Sequence, residues 1–265
     1  MAVGHELYHR RWWVHKVFGL LGYAKFYYSH FCPSHVKYHH KTVATPDDPV
    51  TARMNESVSQ YFARCIPGKV LEVWNIGASK RRHWLSLKNI MLRHVALSLI
   101  IVLTIQLTFG LRAVLFSIVS SIMCMLMIET VNYVEHYGLL RKKDEKGVYE
   151  PVNIKHSWNA PQVITNYMLF KLQRHSDHHA NVYKPYQILE SLSDSPELPH
   201  GYSASVILAM LPSEWFKMAN PLVEATNRGE KISPKMIQDF NHRAMRILIP
   251  FFFLFTALTL YVSFF

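Results

Sequence analysis

The sequence predicts an all-α integral membrane helical bundle, and three observations carry that expectation. Half of the 265 residues are hydrophobic, and mean hydropathy is slightly positive, high for a soluble chain. Two uncharged runs lie almost back to back between residues 95 and 131, and a third apolar run closes the sequence. Sixteen histidines fall largely into short clusters just outside those runs. Imidazole is a common metal ligand, so the clusters point to a metal site at one end of the bundle.

Residues 1–92 read as cytoplasmic and interfacial helices carrying two of the clusters. The first, HELYH, supplies His5 and His9 and matches the H-E-x-x-H pattern of zinc proteases. Residues 11–31 are rich in aromatics but broken by Lys16 and Lys25, which suits a helix lying at the membrane surface. The second cluster, SHVKYHH, supplies His35, His39 and His40. TPDDP and DSPELP read as ordered turns.

Residues 93–131 form the expected transmembrane hairpin. VALSLIIVLTIQLTFGL (95–111) and AVLFSIVSSIMCMLMIETV (113–131) contain no charge except Glu129. At about 1.5 Å per residue each spans roughly 26–28 Å, close to the hydrocarbon core of a bilayer. Lys80, Arg81, Arg82, Lys88 and Arg93 precede the hairpin, and Arg141, Lys142, Lys143 and Lys146 follow it; Arg112 alone marks the turn. The positive-inside rule puts both ends in the cytoplasm.

Residues 132–245 are then cytoplasmic. NYVEHYGLLR carries His136, about five residues past the second run, and LQRHSDHH carries His175, His178 and His179. Residues 246–265 form a C-terminal apolar helix interrupted by Pro250. The whole chain is expected to be one domain.

Positions i, i+3 and i+4 share a helix face, so each cluster is expected to aim its imidazoles at one point. Nine histidines without a cysteine pair exceed the needs of one four-coordinate zinc, which implies two metals and leaves the protease reading with seven idle ligands. Imidazole serves iron, zinc and copper alike. A site at the mouth of a lipid-embedded hairpin suggests an apolar substrate, and attack on inert C–H bonds favours iron with O2. Glu6, Asn132, Glu135 and Asp177 are candidates to orient the rings; His156 reads as structural. The net charge of +11 could mark a nucleic-acid groove, but the positive residues flank apolar runs instead of forming a stripe.

At these residues the sequence closely resembles the integral-membrane alkane 1-monooxygenases, within the histidine-rich di-iron class that includes fatty-acid desaturases and hydroxylases. NYVEHYGLLR and LQRHSDHHA resemble the alkane-hydroxylase signatures, and HKTVATPDDPVTARMNES, HSWNAP and LPHGYSASVILAMLPSEWFKMANP extend the likeness to about residue 221. The resemblance implies two iron ions held by His5, His9, His35, His39, His40, His136, His175, His178 and His179 on the cytoplasmic face. It also implies O2 as co-substrate and an alkane or alkyl chain hydroxylated at its terminal methyl. A separate electron donor such as rubredoxin or ferredoxin would dock on the basic face. Ser34 and Tyr38 depart from the acid-H-x-x-G-H-H form of the second box. Members of that family have membrane spans ahead of the first box, where this chain begins, so truncation is the expectation. A fatty-acyl or alkyl-aromatic hydroxylase or desaturase, or a non-catalytic membrane protein, stays open.

Overall fold

A computed structural model describes residues 1–77, 86 and 88–264. Lys80, Arg81 and Arg82, part of the charge pattern above, lie outside the described residues. Among those described, the chain is helical, with two isolated β-bridges and no strand.

Helix α1 (Ala2–His9) packs on α2 (Trp13–Ala24). The two approach so closely that a Cβ added to Gly19 would lie 2.7 Å from the Gly4 carbonyl oxygen and 2.8 Å from the Tyr8 nitrogen. On its other side α2 exposes Trp13, Val17, Phe18 and Leu21. A short α3 (Phe31–Ser34), a π-helical turn (His35–His39) and α4 (His40–Thr42) follow as one winding segment. α5 (Val58–Gly77) opens with a reciprocal cap. The Ser57 hydroxyl accepts the Gln60 amide at 3.3 Å, and the Gln60 side chain accepts the Ser57 amide at 2.9 Å, satisfying two donors that a helix start leaves free.

α6 (Ile90–Phe109) and α7 (Leu111–His136) form the hairpin. Asn89 caps α6 by accepting the Met91 amide. The single residue between the helices is Gly110, whose φ of +80° lies where only glycine sits without strain. α7 is longer than the apolar run implied: it continues to His136, about 39 Å at 1.5 Å per residue. His136 therefore ends the helix itself and does not lie beyond it.

α8 (Val163–Met168), α9 (His175–Ala180), α10 (Tyr202–Ala209) and α11 (Pro212–Arg228) follow. The last begins on a proline and is closed by Gly229 at φ +82°. α12 (Pro234–Phe264) starts twelve residues before the boundary read from composition, because Ser233 accepts the Met236 amide as a cap and Pro234 favours a first helical turn. Pro250 sits inside it without ending it.

α6, α7 and α12 are each long and apolar enough to cross a membrane, and their outer faces are bare. The packed core lies where α5, α7, α10 and α11 meet, around Tyr61, Tyr133, Trp158 and Trp215. α1, the π turn, the end of α7 and α9 gather beside that core, and the histidines lie where they meet.

Candidate metal centre

His5 and His9 stand one turn apart on the buried face of α1. The second cluster needs a different device. In an α-helix residue i+5 lies about 140° around the axis from residue i, which would send His40 away from His35. Here the His40 amide donates to the His35 carbonyl, closing a π turn that returns the two rings to one side. His136 comes in on the end of α7, and His175, His178 and His179 on the single short helix α9.

The rings assemble as two groups: His5, His9, His35 and His178 in group one, and His39, His136, His175 and His179 in group two. Within each, one nitrogen per ring lies within 4.8 Å of all the others. The expectation that each cluster aims at one point is corrected here: the second and fourth clusters each split between the groups. His40, the ninth, places its Nε2 3.0 Å from that of His35 and stacks on His179 with ring centres 4.4 Å apart. It belongs between the groups.

Protons cannot account for these contacts. His35 Nε2 lies 2.8 Å from His5 Nε2, 3.1 Å from His9 Nε2 and 3.0 Å from His40 Nε2. A neutral ring nitrogen carries either one N–H or one lone pair, so at most one of the three can be a hydrogen bond. His136 Nε2 faces His39 and His175 at 3.0 and 3.1 Å, and His175 also faces His179 at 3.0 Å. Two nitrogens bound at a right angle to one metal at about 2.1 Å would stand about 3.0 Å apart. Burial, then the neighbouring rings, hold His5, His9, His35, His40, His175 and His179 well below the ordinary imidazole range, and burial takes His178 down to about 3. These rings are neutral, with lone pairs free, and His178 Nε2 is buried without a partner. The donor set fits a pair of transition-metal ions.

The sequence profile described as fatty acid desaturase matches residues 1–206. The chain belongs to the fatty acid desaturase family. It is 37% identical over 232 residues to alkane 1-monooxygenase 2 of Alcanivorax borkumensis, covering 86% of this chain and 61% of that protein. It is 37% identical over 238 residues to alkane 1-monooxygenase 1 of Pseudomonas aeruginosa, covering 87% and 62%. Against alkane 1-monooxygenase of Ectopseudomonas oleovorans the figures are 38% over 227 residues, 82% and 55%. The chain thus spans roughly three-fifths of the length of such relatives.

Around the candidate centre of this desaturase-family chain, three of the four acids and amides picked out by sequence face elsewhere. Glu6 pairs with Arg10 and accepts the Tyr186 amide at 3.3 Å. Asn132 donates to Glu129 at 3.2 Å. Asp177 accepts from Lys184, Asn181 and the Glu190 amide at 2.6 to 2.9 Å, fastening the loop after α9. Glu135 alone faces the centre: its Oε2 lies 3.4 Å from His175 Nε2, the nitrogen that faces His136 and His179, and its Oε1 is buried without a partner.

Sequence reasoning missed Asp48. His39 Nδ1 donates to its Oδ2 at 2.9 Å, and Thr51 and the Val50 amide fix the carboxylate. Burial opposes charge on Asp48, but the His39 ring and these donors outweigh it and hold the carboxyl below its ordinary value. It follows the second box in TPDDP, which was the available signal. Ser157 was also missed; its Oγ lies 3.4 Å from His136 Nδ1. His156 lies apart, with Nε2 3.3 Å from Glu150 Oε1 and Nδ1 accepting the Asn153 amide, as a structural histidine should. Below the centre, Glu129 on α7 meets Lys69 on α5 at 2.6 Å, with Tyr28, Tyr61, Cys65 and Asn132 also donating to its carboxylate.

Proposed function

We propose that this chain carries the catalytic metal centre of a membrane monooxygenase that hydroxylates the terminal methyl of alkanes or related alkyl chains, giving primary alcohols. The observation that carries the reading is the pair of buried four-histidine groups in a chain whose relatives are named alkane 1-monooxygenases. The overall reaction takes an alkane, O2, two electrons and two protons to an alcohol and water.

In this reading the nine clustered histidines hold two irons, His40 lying between the groups. When bound, the irons supply activation of O2 and the oxidising power that an unactivated C–H bond demands. The protein's own contribution is placement and dryness. His5, His9, His35 and His178 are at most 6% exposed, as are His39, His136, His175 and His179, so the rings shield the site from bulk water. Asp48 keeps the His39 proton on Nδ1 and leaves Nε2 for metal. The unpartnered Glu135 Oε1 is placed to hold a proton beside group two.

The hairpin and α12 lie in the bilayer and bring an apolar substrate to their cytoplasmic end. Lys88, Arg93 and the basic residues from Arg141 to Lys146 support that orientation, with Arg112 alone at the far turn. Electrons come from a separate carrier such as rubredoxin or ferredoxin, attracted to the basic face.

The test is iron content and product formation by the chain in detergent or nanodiscs, supplied with ferrous iron, a reduced carrier and octane. About two irons per chain and 1-octanol are expected. Zinc in place of iron as the functional metal, or peptide hydrolysis without alkane oxidation, would overturn the reading.

A further inference from the structure

We infer that the two histidine groups are unequal: group two binds a divalent transition metal more tightly than group one and holds it at a lower reduction potential. The inference rests on the metal reading above and concerns only this chain's residues around each group.

The difference lies in the carboxylates. Asp48 Oδ2 accepts from His39 of group two at 2.9 Å, and Glu135 Oε2 stands 3.4 Å from His175 Nε2 of the same group. Both acids are about 1% exposed, so water screens neither. Among the described residues, no carboxylate lies within ion-pair distance of a group-one ring. Glu6 follows His5 in sequence but is turned to Arg10 and the Tyr186 amide. Unpartnered second nitrogens do not discriminate, because both groups have them: His9 Nδ1 in one, His175 Nδ1 and His179 Nδ1 in the other.

Two physical effects act in the same direction. A carboxylate accepting the far N–H of a bound imidazole makes that ring a stronger donor, and removing such a partner costs about 10- to 100-fold in affinity. Buried negative charge near a cation also favours the cation, more so as its charge rises on oxidation. His39 receives the first effect from Asp48, and the same carboxylate brings the second to group two. Among the described residues no group-one ring donates to a carboxylate; Asp177, next to His178 in sequence, spends its carboxylate on Lys184, Asn181 and the Glu190 amide.

The experiment loads the full chain with ferrous iron under anaerobic conditions, challenges it with an iron chelator and follows iron per chain with time. Two phases of about one iron each are expected, the rates differing by at least about tenfold. His178→Ala should remove the fast phase and His175→Ala the slow one. Asp48→Asn should speed the slow phase about tenfold while leaving the fast phase within about twofold, and Asp48→Glu should restore it. Should Asp48→Asn fold poorly, His178→Ala and His175→Ala still decide, the first expected to keep the slow phase and the second to keep the fast one. In Mössbauer spectra of 57Fe-loaded protein, Asp48→Asn should move one of two signals. A single release phase, or a slow phase that belongs to group one, overturns the inequality while leaving metal binding intact. No iron in either group overturns the metal reading and the inference with it.

Discussion

The His40 amide donates to the carbonyl of His35, five residues back, and the two rings meet Nε2 to Nε2 at 3.0 Å. The fourth cluster presents His175, His178 and His179 on an ordinary α-turn. The second therefore achieves with one extra residue and a π turn what the fourth achieves at i, i+3 and i+4. Deleting Lys37 gives the α-helical spacing H-x-x-H-H and should preserve more bound metal than inserting an alanine after Lys37, which leaves no regular turn to align the rings. Metal per chain checks this, and equal loss in both variants would count against the π turn as the aligning device.

Membership of the groups gives a second expectation. His178→Ala should lower metal content by about one ion per chain and abolish alkane oxidation, since each group holds one metal in this reading. His200, whose ring packs against Phe240 with centres 5.8 Å apart, should tolerate alanine with full metal content. Equal loss in the two variants would sink the site assignment.

Lys69 and Glu129 are almost wholly buried, at 1% and 0% side-chain exposure. Burial pushes Lys69 down, while Glu129, Cys65 and Asp48 together raise it above its ordinary value, so the lysine is charged. Glu129→Leu strands that charge and should cost about 3–5 kcal/mol, whereas Lys69→Met with Glu129→Leu should recover much of the loss. Unfolding in detergent compares them; a double variant no more stable than the single would refute the pair as the cause.

Glu72 accepts the Ser34 hydroxyl at 2.7 Å, and burial pushes its carboxyl up to about 7 from 4.5. An acid raised on folding binds its proton more tightly when folded. Its stabilising contribution is therefore full below about 4.5 and lost as pH rises through about 7. Glu72→Gln removes that loss, so its melting temperature should gain on the parent between pH 5 and pH 8. A constant difference, or one that shrinks, would contradict the sign.

Much of this was legible in sequence, and the misses have physical causes. The helical hairpin followed from uncharged length, and the nine histidines followed from clustering, because both are local properties. Their division into two groups was not, since ring direction in the second cluster depends on a backbone hydrogen bond that spacing alone does not specify. Adjacency misled for Glu6 and Asp177: a residue next to a helical histidine points about 100° away from it. Asp48 was harder to read for the opposite reason, eight residues past His40 and brought back to His39 by the TPDDP turn. The early start of α12 could have been read from Ser233-Pro234, a cap and first-turn pair that hydropathy overlooks.

Splitting two clusters between two groups also constrains assembly. His5 arrives with the first helix and shares its group with His178, while His39 shares the other with His179. Neither cage can close during synthesis until the chain has emerged past α9. Bound metal would then act as a pair of rivets joining the first nine residues to the fourth cluster across most of the chain, constraining the long loop between them. Without metal, α1 keeps its glycine crossing with α2 but loses its tie to α9, and protease cleavage around α1 should be faster in the apo chain than in the loaded one.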